Sequence, residues 1–427
     1  MTRMKPVLAV AVGLCAGGLA GLSAQTFQVS PSQVLMDEPA VISATGLQPG
    51  ERVAVRAELT DGAGVQWTSQ ADFIADGQGA VDVSKQAPKD GSYKEVSAMG
   101  LIWSMLPRDK KIAGYSGMRG GAPQTIQFAL MRNTQQVSSA TLQQIVVADG
   151  IQRIPVRDND VRGLLFLPNT KERRPAVVVL GGSEGGMPLA RASWLADRGY
   201  VALALAYFRL QDLPQKLEGI PLEYFQQALS WLVQRPEVLP DQIAVMGSSR
   251  GGELALQLGS MFPVIHAVVA YVPANVRYPA CCGNTDVPYA WTWKGMPLAF
   301  ARPRPSDPLE MSRAEIEVEK THGPILMISA EDDHVWNSAQ MADEVVARLK
   351  RNHFAYGFEN LKYPHAGHSA GRPEIVPMWL GDTRQPVSGQ EMELGGSPKG
   401  DAESTLDAIP KVLAFLRQNL PGIPAQQ

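Results

Sequence analysis

The pattern of apolar and polar positions changes near residue 150 and divides the chain into two regions. Residues 27 to about 148 hold short segments in which apolar and polar residues alternate, and turn residues lie between the segments. Residues 53–59, for example, are followed by the turn residues Asp61-Gly62. Alternation of this kind, repeated at short intervals without helical periodicity, is typical of half-buried strands. We therefore predict a β-sandwich domain of the immunoglobulin-like kind over residues 25–150.

From about residue 151, apolar strands alternate with amphipathic helices. Residues 176–180 and 201–206 are near-continuous apolar runs, as expected for strands that are buried on both faces. Residues 222–233 carry apolar side chains at helical spacing. This alternation predicts a doubly wound, mostly parallel sheet over residues 151–427. The segment of about 273–320 interrupts the alternation of strands and helices and is expected to form a cap or long loop beside the functional site.

The first 24 residues are predicted to be a signal peptide. Arg3 and Lys5 precede a short, glycine-containing apolar stretch, and Leu22-Ser23-Ala24 offers a small-residue cleavage site before Gln25. A lipid anchor at Cys15 is the alternative, but the leucine before that cysteine fits a lipoprotein cleavage site poorly. We expect an exported protein, periplasmic or secreted, with no membrane span in the mature chain.

Composition and charge fit a globular protein with two domains. The chain has 427 residues and a formal net charge of −3, and no cluster of Lys and Arg indicates a nucleic-acid surface. After removal of the signal peptide, only the adjacent Cys281 and Cys282 remain. They form either a vicinal disulfide or a pair of small apolar residues. No His, Cys and Asp cluster has metal-ligand spacing, so no metal is expected.

The motif with the clearest chemistry is G-x-S-x-G, centred on Ser249. A β-like run, 243–246, precedes it, and a helix-like run, 253–258, follows it. This is the context of a nucleophile elbow, a tight strand-to-helix turn that exposes a serine above a sheet. The flanking Gly247 and Gly251 are required because a Cβ there would collide with neighbouring backbone. We predict Ser249 as a nucleophile; an ordinary Gly-Ser turn is the alternative.

An activated serine needs a histidine base and an orienting carboxylate, and in this fold class the chain order is serine, acid, histidine. Among the six histidines, His365 and His368 lie in a loop after the last predicted strand, and we favour His368 because a preceding glycine lets the loop turn back. The acid should follow an earlier strand, where Glu331, Asp332 and Asp333 qualify. Spacing alone does not separate Asp332 from Asp333.

An oxyanion hole needs two backbone N–H groups. One is expected from Arg250, which follows the nucleophile. The other is expected from Ser183 or Glu184 in the glycine-rich loop 181–186. A phosphate-binding loop is the alternative, but this loop lacks both the Lys-Ser/Thr of a P-loop and the spacing of a dinucleotide fingerprint. No cofactor is expected.

With these residues in place, the chain resembles the acyl-CoA thioesterase and bile acid-CoA:amino acid N-acyltransferase family over nearly the whole mature sequence. Similar segments in the N-terminal region are Asp37-Glu38-Pro39 and Met99-Gly100-Leu101-Ile102-Trp103. Further on they are Ala204-Leu205-Ala206-Tyr207-Phe208, Asp332-Asp333-His334-Val335-Trp336 and Gly367-His368. The resemblance implies an α/β hydrolase domain preceded by the β-sandwich domain.

The resemblance also implies roles for single residues. The acid of the family matches Asp333 and its histidine matches His368. Members that conjugate amino acids carry cysteine at the nucleophile position, whereas the hydrolases carry serine, so Ser249 favours hydrolysis over transfer to an amine. The expected reaction is hydrolysis of a small-molecule acyl thioester or ester through a Ser-His-Asp triad and an acyl-enzyme.

Three other interpretations stay open at this point. An exported carboxylesterase or amidase would use the same mechanism, an acyltransferase would pass the acyl group to an amine, and a binding protein would keep the fold without activity. Coenzyme A as leaving group would need cationic side chains for its phosphates. Arg250 and Arg209 are the candidates, although Arg250 has packing on the elbow as a competing role.

Overall fold

The computed structural model describes residues 25–109, 114–118, 121–302, 308–381 and 383–423; the predicted signal peptide lies outside them. In the N-terminal region the described residues form strands and one short helix. They are β1 Thr26–Ser30, β2 Gln33–Leu35, β3 Val41–Thr45, β4 Arg52–Thr60, β5 Gln66–Ile74, β6 Val81–Asp82, β7 Asp90–Gly91, α1 Gly100–Trp103, β8 Leu106–Pro107, β9 Gln124–Arg132 and β10 Gln135–Ile145.

These strands form two sheets that share one apolar core. One sheet has the order β1-β3-β6, and the other has the order β2-β10-β9-β4-β5-β7, with β8 also paired to β5. Alternate residues of β5 are buried, as the period of two requires. The core between the sheets includes Trp67, Phe73 and Phe128. The region also contains α1, a single buried turn that is too short for helical periodicity to reveal.

The C-terminal region is built on one sheet of eight strands in the order β11-β12-β14-β13-β16-β17-β20-β21. The six strands from β14 to β21 run parallel to one another. Strand β12 is antiparallel to β14, and β11 is antiparallel to β12. This arrangement confirms the predicted α/β hydrolase class. The bounds are β11 Gln152–Asp158, β12 Val161–Leu167, β13 Arg174–Leu180, β14 Val201–Ala206, β16 Val238–Ser248, β17 Ala267–Tyr271, β20 Ile325–Ala330 and β21 Phe358–Tyr363.

Helices cover both faces of this sheet, which is why its central strands are buried throughout. Apolar side chains of α2 and α7 pack on one face. Those of α3, α4 and α6 pack on the other. The bounds are α2 Leu189–Asp197, α3 Glu223–Val233, α4 Arg250–Met261, α6 Ser338–Arg351 and α7 Pro398–Asn419.

The segment between β17 and β20 extends the domain above the sheet. Its β18 and β19 form a small sheet with β15, and α5 and a short 3-10 helix follow them. A separate apolar cluster in this segment includes Ala274, Val276 and Tyr278, and Trp336 packs against it. The bounds are β15 Ile220–Pro221, β18 Trp291–Trp293, β19 Met296–Pro297, α5 Pro308–Ala314 and the 3-10 helix Val318–Lys320.

A buried polar contact joins the two regions. The guanidinium of Arg198, at the end of α2, pairs with the carboxylate of Asp37. Trp194 Nε1 donates to the same carboxylate at 2.8 Å. Because both partners of the ion pair are almost fully buried, this contact fixes how the N-terminal region sits against α2.

Candidate active site

Ser249 lies in a sharp turn between β16 and α4. Its backbone has φ +58° and ψ −122°, a conformation that residues with a Cβ rarely adopt. The Ser249 N–H donates to the carbonyl of Tyr271 on the neighbouring strand β17 at 2.9 Å. A strained conformation that surrounding hydrogen bonds enforce is a common feature of functional sites.

The glycines of the motif are required by close backbone approach. A Cβ on Gly247 would overlap the carbonyl oxygen of Gly251. A Cβ on Gly251 would overlap the carbonyl of Gly181, in the loop after β13. The G-x-S-x-G pattern is therefore what allows the elbow to lie this close to the glycine-rich loop.

The structure brings Ser249, His368 and Asp333 together at the carboxyl edge of the sheet. The distance from His368 Nε2 to Ser249 Oγ is 2.8 Å. On the other side of the ring, Nδ1 lies 2.9 Å from both carboxylate oxygens of Asp333. With the proton on Nδ1, Nε2 is left as an acceptor for the serine hydroxyl, which is the arrangement that a general base requires.

The backbone after β20 separates the two neighbouring aspartates. Asp333 Oδ1 accepts hydrogen bonds from the N–H groups of Val335 and Trp336 at 3.0 and 3.3 Å, and its side chain is fully buried. Asp332 points the other way, and its Oδ1 lies 2.9 Å from His334 Nε2 in an exposed pair. Of these two carboxylates, only that of Asp333 contacts the imidazole of His368.

The loop that carries His368 is fixed on several sides. The His368 N–H donates to the carbonyl of Leu394 at 2.7 Å. The ring of Trp336 meets the imidazole edge-on, with centroids 5.4 Å apart, and stacks on Tyr278 at 5.3 Å. The other candidate, His365, is exposed at the start of the same loop.

The predicted oxyanion donors lie beside the serine. A Cβ on Gly182 would stand 3.1 Å from Ser249 Cβ, so the glycine-rich loop reaches the nucleophile. Within the described residues, the backbone N–H groups of Ser183, Glu184 and Arg250 have no hydrogen-bond acceptor. Donors of this kind next to a nucleophile are able to hold an oxyanion.

Side chains from three segments fix the shape of that loop. Tyr207 Oη donates to the carbonyl of Gly181 at 2.6 Å. Gln385 Nε2 donates to the carbonyl of Ser183 at 2.8 Å. The Glu184 carboxylate accepts the Gly182 N–H at 2.8 Å, which removes this N–H from the possible oxyanion donors.

The Arg250 side chain packs on the elbow rather than facing solvent. Its guanidinium donates to the carbonyls of Pro279 and Tyr278 at 2.9 and 3.1 Å. Its Nε lies 3.2 Å from the carboxylate of Glu253, one turn along α4, and both side chains are buried. Of the two candidates for coenzyme A phosphates, this leaves Arg209, which is exposed and donates to the carbonyl of Glu184 at 2.8 Å.

Glu253 is a site residue that sequence reasoning missed. Its carboxylate accepts from Trp291 Nε1 at 2.8 Å and from the N–H of Tyr278 at 3.3 Å. Burial raises the pKa of this carboxyl, and the Arg250 guanidinium opposes the rise. The available signal was a lone carboxylate in the first turn of an otherwise apolar helix.

Cys281 and Cys282 are bonded to each other as a vicinal disulfide in the segment between β17 and β20, which we call the insertion. The Cys281 N–H donates to the carbonyl of Leu217 at 3.1 Å. No group of three or more His, Cys, Asp or Glu side chains that would hold a metal ion occurs in the part of the chain that the structure describes. Among the helices of that part, none is both long and apolar enough to cross a bilayer.

Two family models and a set of known proteins match this chain. The model described as acyl-CoA thioester hydrolase/BAAT N-terminal region matches residues 37–158. The model described as BAAT / acyl-CoA thioester hydrolase C terminal matches residues 220–282 and 302–422. Acyl-coenzyme A thioesterase 6 of Mus musculus is 31% identical over 422 residues, which cover 93% of this chain and 98% of that protein. This chain belongs to the acyl-CoA thioesterase/BAAT family.

The family assignment confirms the resemblance seen in the sequence. Bile acid-CoA:amino acid N-acyltransferase of Mus musculus is 31% identical over 93% of this chain and 98% of its own length. Among solved structures, an α/β hydrolase from a deep-sea metagenome library has a TM-score of 0.41 and 18% identity, and it covers 64% of this chain and 99% of its own. The C-terminal family model spans Ser249, Asp333 and His368.

Proposed function

We propose that this member of the acyl-CoA thioesterase/BAAT family hydrolyses acyl thioesters, with Ser249 as nucleophile, His368 as base and Asp333 as its orienting acid. The observation that carries the proposal is the continuous contact from carboxylate to imidazole to hydroxyl, with distances of 2.9 and 2.8 Å. The names of the relatives, which include several acyl-coenzyme A thioesterases, support the thioester as the bond that is cleaved.

The reaction proceeds through two acyl transfers. Ser249 Oγ attacks the carbonyl carbon while His368 Nε2 takes the hydroxyl proton, and the tetrahedral oxyanion is held by the N–H of Arg250 and that of Ser183 or Glu184. The carbon–sulfur bond then breaks, and the imidazolium returns its proton to the departing thiolate. Water then attacks the acyl-enzyme carbonyl while the same imidazole takes its proton. The ester bond to Ser249 Oγ breaks, the imidazolium returns the proton to that oxygen, and the carboxylic acid leaves.

A serine at the nucleophile position favours water over an amine as the final acceptor. In the family that the chain resembles, the conjugating members have cysteine at this position. Ser249 is accordingly expected to give a hydrolase with little transfer to an amine.

Coenzyme A is the leaving group that the family assignment favours. Arg209 is exposed and donates to the carbonyl of Glu184 in the glycine-rich loop, and we assign it to the coenzyme A phosphates. A simpler ester or thioester is the second candidate, because the sequence of residues 1–24 indicates export, away from cytoplasmic coenzyme A. Sequencing the N-terminus of the purified mature protein tests that export, with Gln25 expected as the first residue.

A panel of three palmitoyl substrates tests the function and the leaving group together. Purified mature protein is assayed with palmitoyl-CoA, its N-acetylcysteamine thioester and p-nitrophenyl palmitate. We expect kcat/KM to be highest for palmitoyl-CoA and at least about 10-fold lower for the truncated thioester, because the nucleotide supplies remote binding energy. Ser249→Ala and His368→Ala should each lower turnover by about 10⁴-fold or more. Comparable kcat/KM for all three substrates would contradict coenzyme A recognition, and full turnover by Ser249→Ala would contradict the triad.

A further inference from the structure

The first turns of α7 hold the loop that carries His368. The N–H of Ser397, the N-cap of α7, donates to the carbonyl of His365 at 3.1 Å. Asp401 Oδ1 accepts the N–H of Gly367 at 2.9 Å. Ser404 Oγ accepts the N–H of Gly371 at 3.1 Å. These three contacts fix the loop before, immediately beside and after the histidine.

Of these three contacts, that of Asp401 is nearest to His368 along the chain, since it holds the N–H of the preceding residue, Gly367. The backbone around that contact is closely packed. A Cβ on Gly400 would overlap the carbonyl of His365, and a Cβ on Gly396 would lie 3.0 Å from Asp401 Oδ1. Asp401 therefore fixes the Ala366–Gly367 peptide, one peptide before the N–H of His368.

A carboxylate at this position is energetically unfavourable. Asp401 is 1% exposed. Burial raises its pKa to about 6, Arg372 opposes the rise, and the carboxylates of Asp332 and Asp333 add to it. Within the described residues its carboxylate has a backbone N–H as hydrogen-bond partner and no ion pair. Residues that weaken a fold in this way are expected where function requires them.

We propose that Asp401 is a positioning residue for His368: its carboxylate holds the Gly367 N–H and thereby keeps Nε2 within hydrogen-bond distance of Ser249 Oγ. This inference rests on the proposed function, since it gives Asp401 a role only if His368 is the base. A shift of about 1 Å in a catalytic group is enough to lower turnover by about 100-fold. The loss is expected in kcat, because Asp401 is buried and contacts the backbone of the loop rather than the reacting groups.

Four variants of α7 separate positioning from a general structural role. Asp401→Leu keeps the number and branching of the side-chain heavy atoms and removes the acceptor. Asp401→Ala also removes the acceptor, with a smaller side chain, and it replaces Asp401→Leu as the test of positioning if that variant does not fold. Asp401→Asn keeps an acceptor oxygen without the charge. Thr405→Val is the matched control, because Thr405 is equally buried on α7 and its hydroxyl has no hydrogen-bond partner among the residues that the structure describes.

The readouts are kcat and KM for palmitoyl-CoA, the rate of Ser249 labelling by a fluorophosphonate, and the unfolding midpoint. Asp401→Leu is expected to lose about 100-fold in kcat and in labelling rate, with KM changed less than about 3-fold. Its unfolding midpoint should stay within about 5 °C of the wild type, since removing a buried charge offsets the lost hydrogen bond. Asp401→Asn should recover most of the activity, and Thr405→Val should equal the wild type.

The results that overturn the inference are distinct from those that overturn the proposed function. Wild-type kcat in Asp401→Leu, or a loss no larger than that of Thr405→Val, would show that Asp401 does not position the base. A loss in Asp401→Leu that only matches its unfolded fraction would show the same. Failure of the wild type itself to react with the fluorophosphonate would instead contradict the proposed function.

Discussion

Asp332 and Asp333 are adjacent in the sequence, but their carboxylates contact different histidines. Asp333 is buried against His368 Nδ1, and two backbone N–H groups hold it there. Asp332 is half-exposed and pairs with His334. The direction of each side chain at the end of β20 therefore decides which of the two is able to orient the base.

Exchanging each aspartate for asparagine tests this distinction at the level of the residue. Asp333→Asn should lower kcat by about 10³- to 10⁴-fold, because a carboxamide is able to donate to Nδ1 and so favours the wrong tautomer. Asp332→Asn should change kcat by less than about 5-fold, since its partner is an exposed histidine away from the serine. Steady-state kinetics with palmitoyl-CoA measure both, and equal, severe losses would contradict the assignment of Asp333.

At the level of elements, the insertion after β17 is tied to the first turn of α4. Arg250 binds two carbonyls of the insertion, and Glu253 accepts from Trp291 on β18. The same helix turn begins directly at Ser249. One buried ion pair thus connects the nucleophile elbow to the segment above the sheet. Tyr278 of that segment stacks on Trp336, which meets the imidazole of His368 edge-on.

Removing the charge of Glu253 should weaken this connection. Glu253→Gln leaves the buried Arg250 without its anion, and we expect the free energy of unfolding to fall by about 3 kcal/mol. Chemical denaturation followed by circular dichroism measures the change. Glu391→Gln is the control, because it breaks the exposed pair with Arg384 and should change stability by less than about 1 kcal/mol. Equal stability of the two variants would mean that the ion pair does not support the elbow.

The elements that carry Ser249 and His368 could be predicted because their signals are local. A strand, two glycines and a helix mark the elbow within a dozen residues, and the histidine stands in a loop after the last strand. Spacing could not choose Asp333, because the choice depends on side-chain direction. Glu253 and Asp401 could not be found either, since their roles depend on partners from the insertion and from the loop 365–371, far away in the chain.

At the level of the whole molecule, the contact between the two regions contains several acidic groups. Asp37 pairs with Arg198, and Asp197 accepts the N–H of Ala148 at 2.9 Å. Burial is the main reason why the pKa of Asp197 is raised to about 6. Burial also raises the pKa of Asp37, against the effect of Arg198. This junction is therefore expected to respond to mildly acidic pH.

The direction of the response follows from the raised pKa of Asp197. Between its ordinary pKa of 3.8 and about 6, the folded protein binds the proton more tightly than the unfolded chain does. Its contribution to stability is thus complete below 3.8 and is lost as the pH rises through 6. From pH 7 to pH 5, the wild type should gain up to about 1 kcal/mol relative to Asp197→Asn. Parallel stability curves for the two proteins across this range would contradict the burial of an ionisable Asp197.

The most direct test of the proposed mechanism is to trap the acyl-enzyme. Mature protein is mixed with a small excess of palmitoyl-CoA, quenched in acid within milliseconds to seconds, and analysed as intact protein and as peptides by mass spectrometry. We expect a mass increase of one palmitoyl group on the peptide that contains Ser249, with release of one equivalent of thiol. We expect no adduct in Ser249→Ala. An adduct on another residue, or thiol release that continues in Ser249→Ala, would contradict the serine nucleophile.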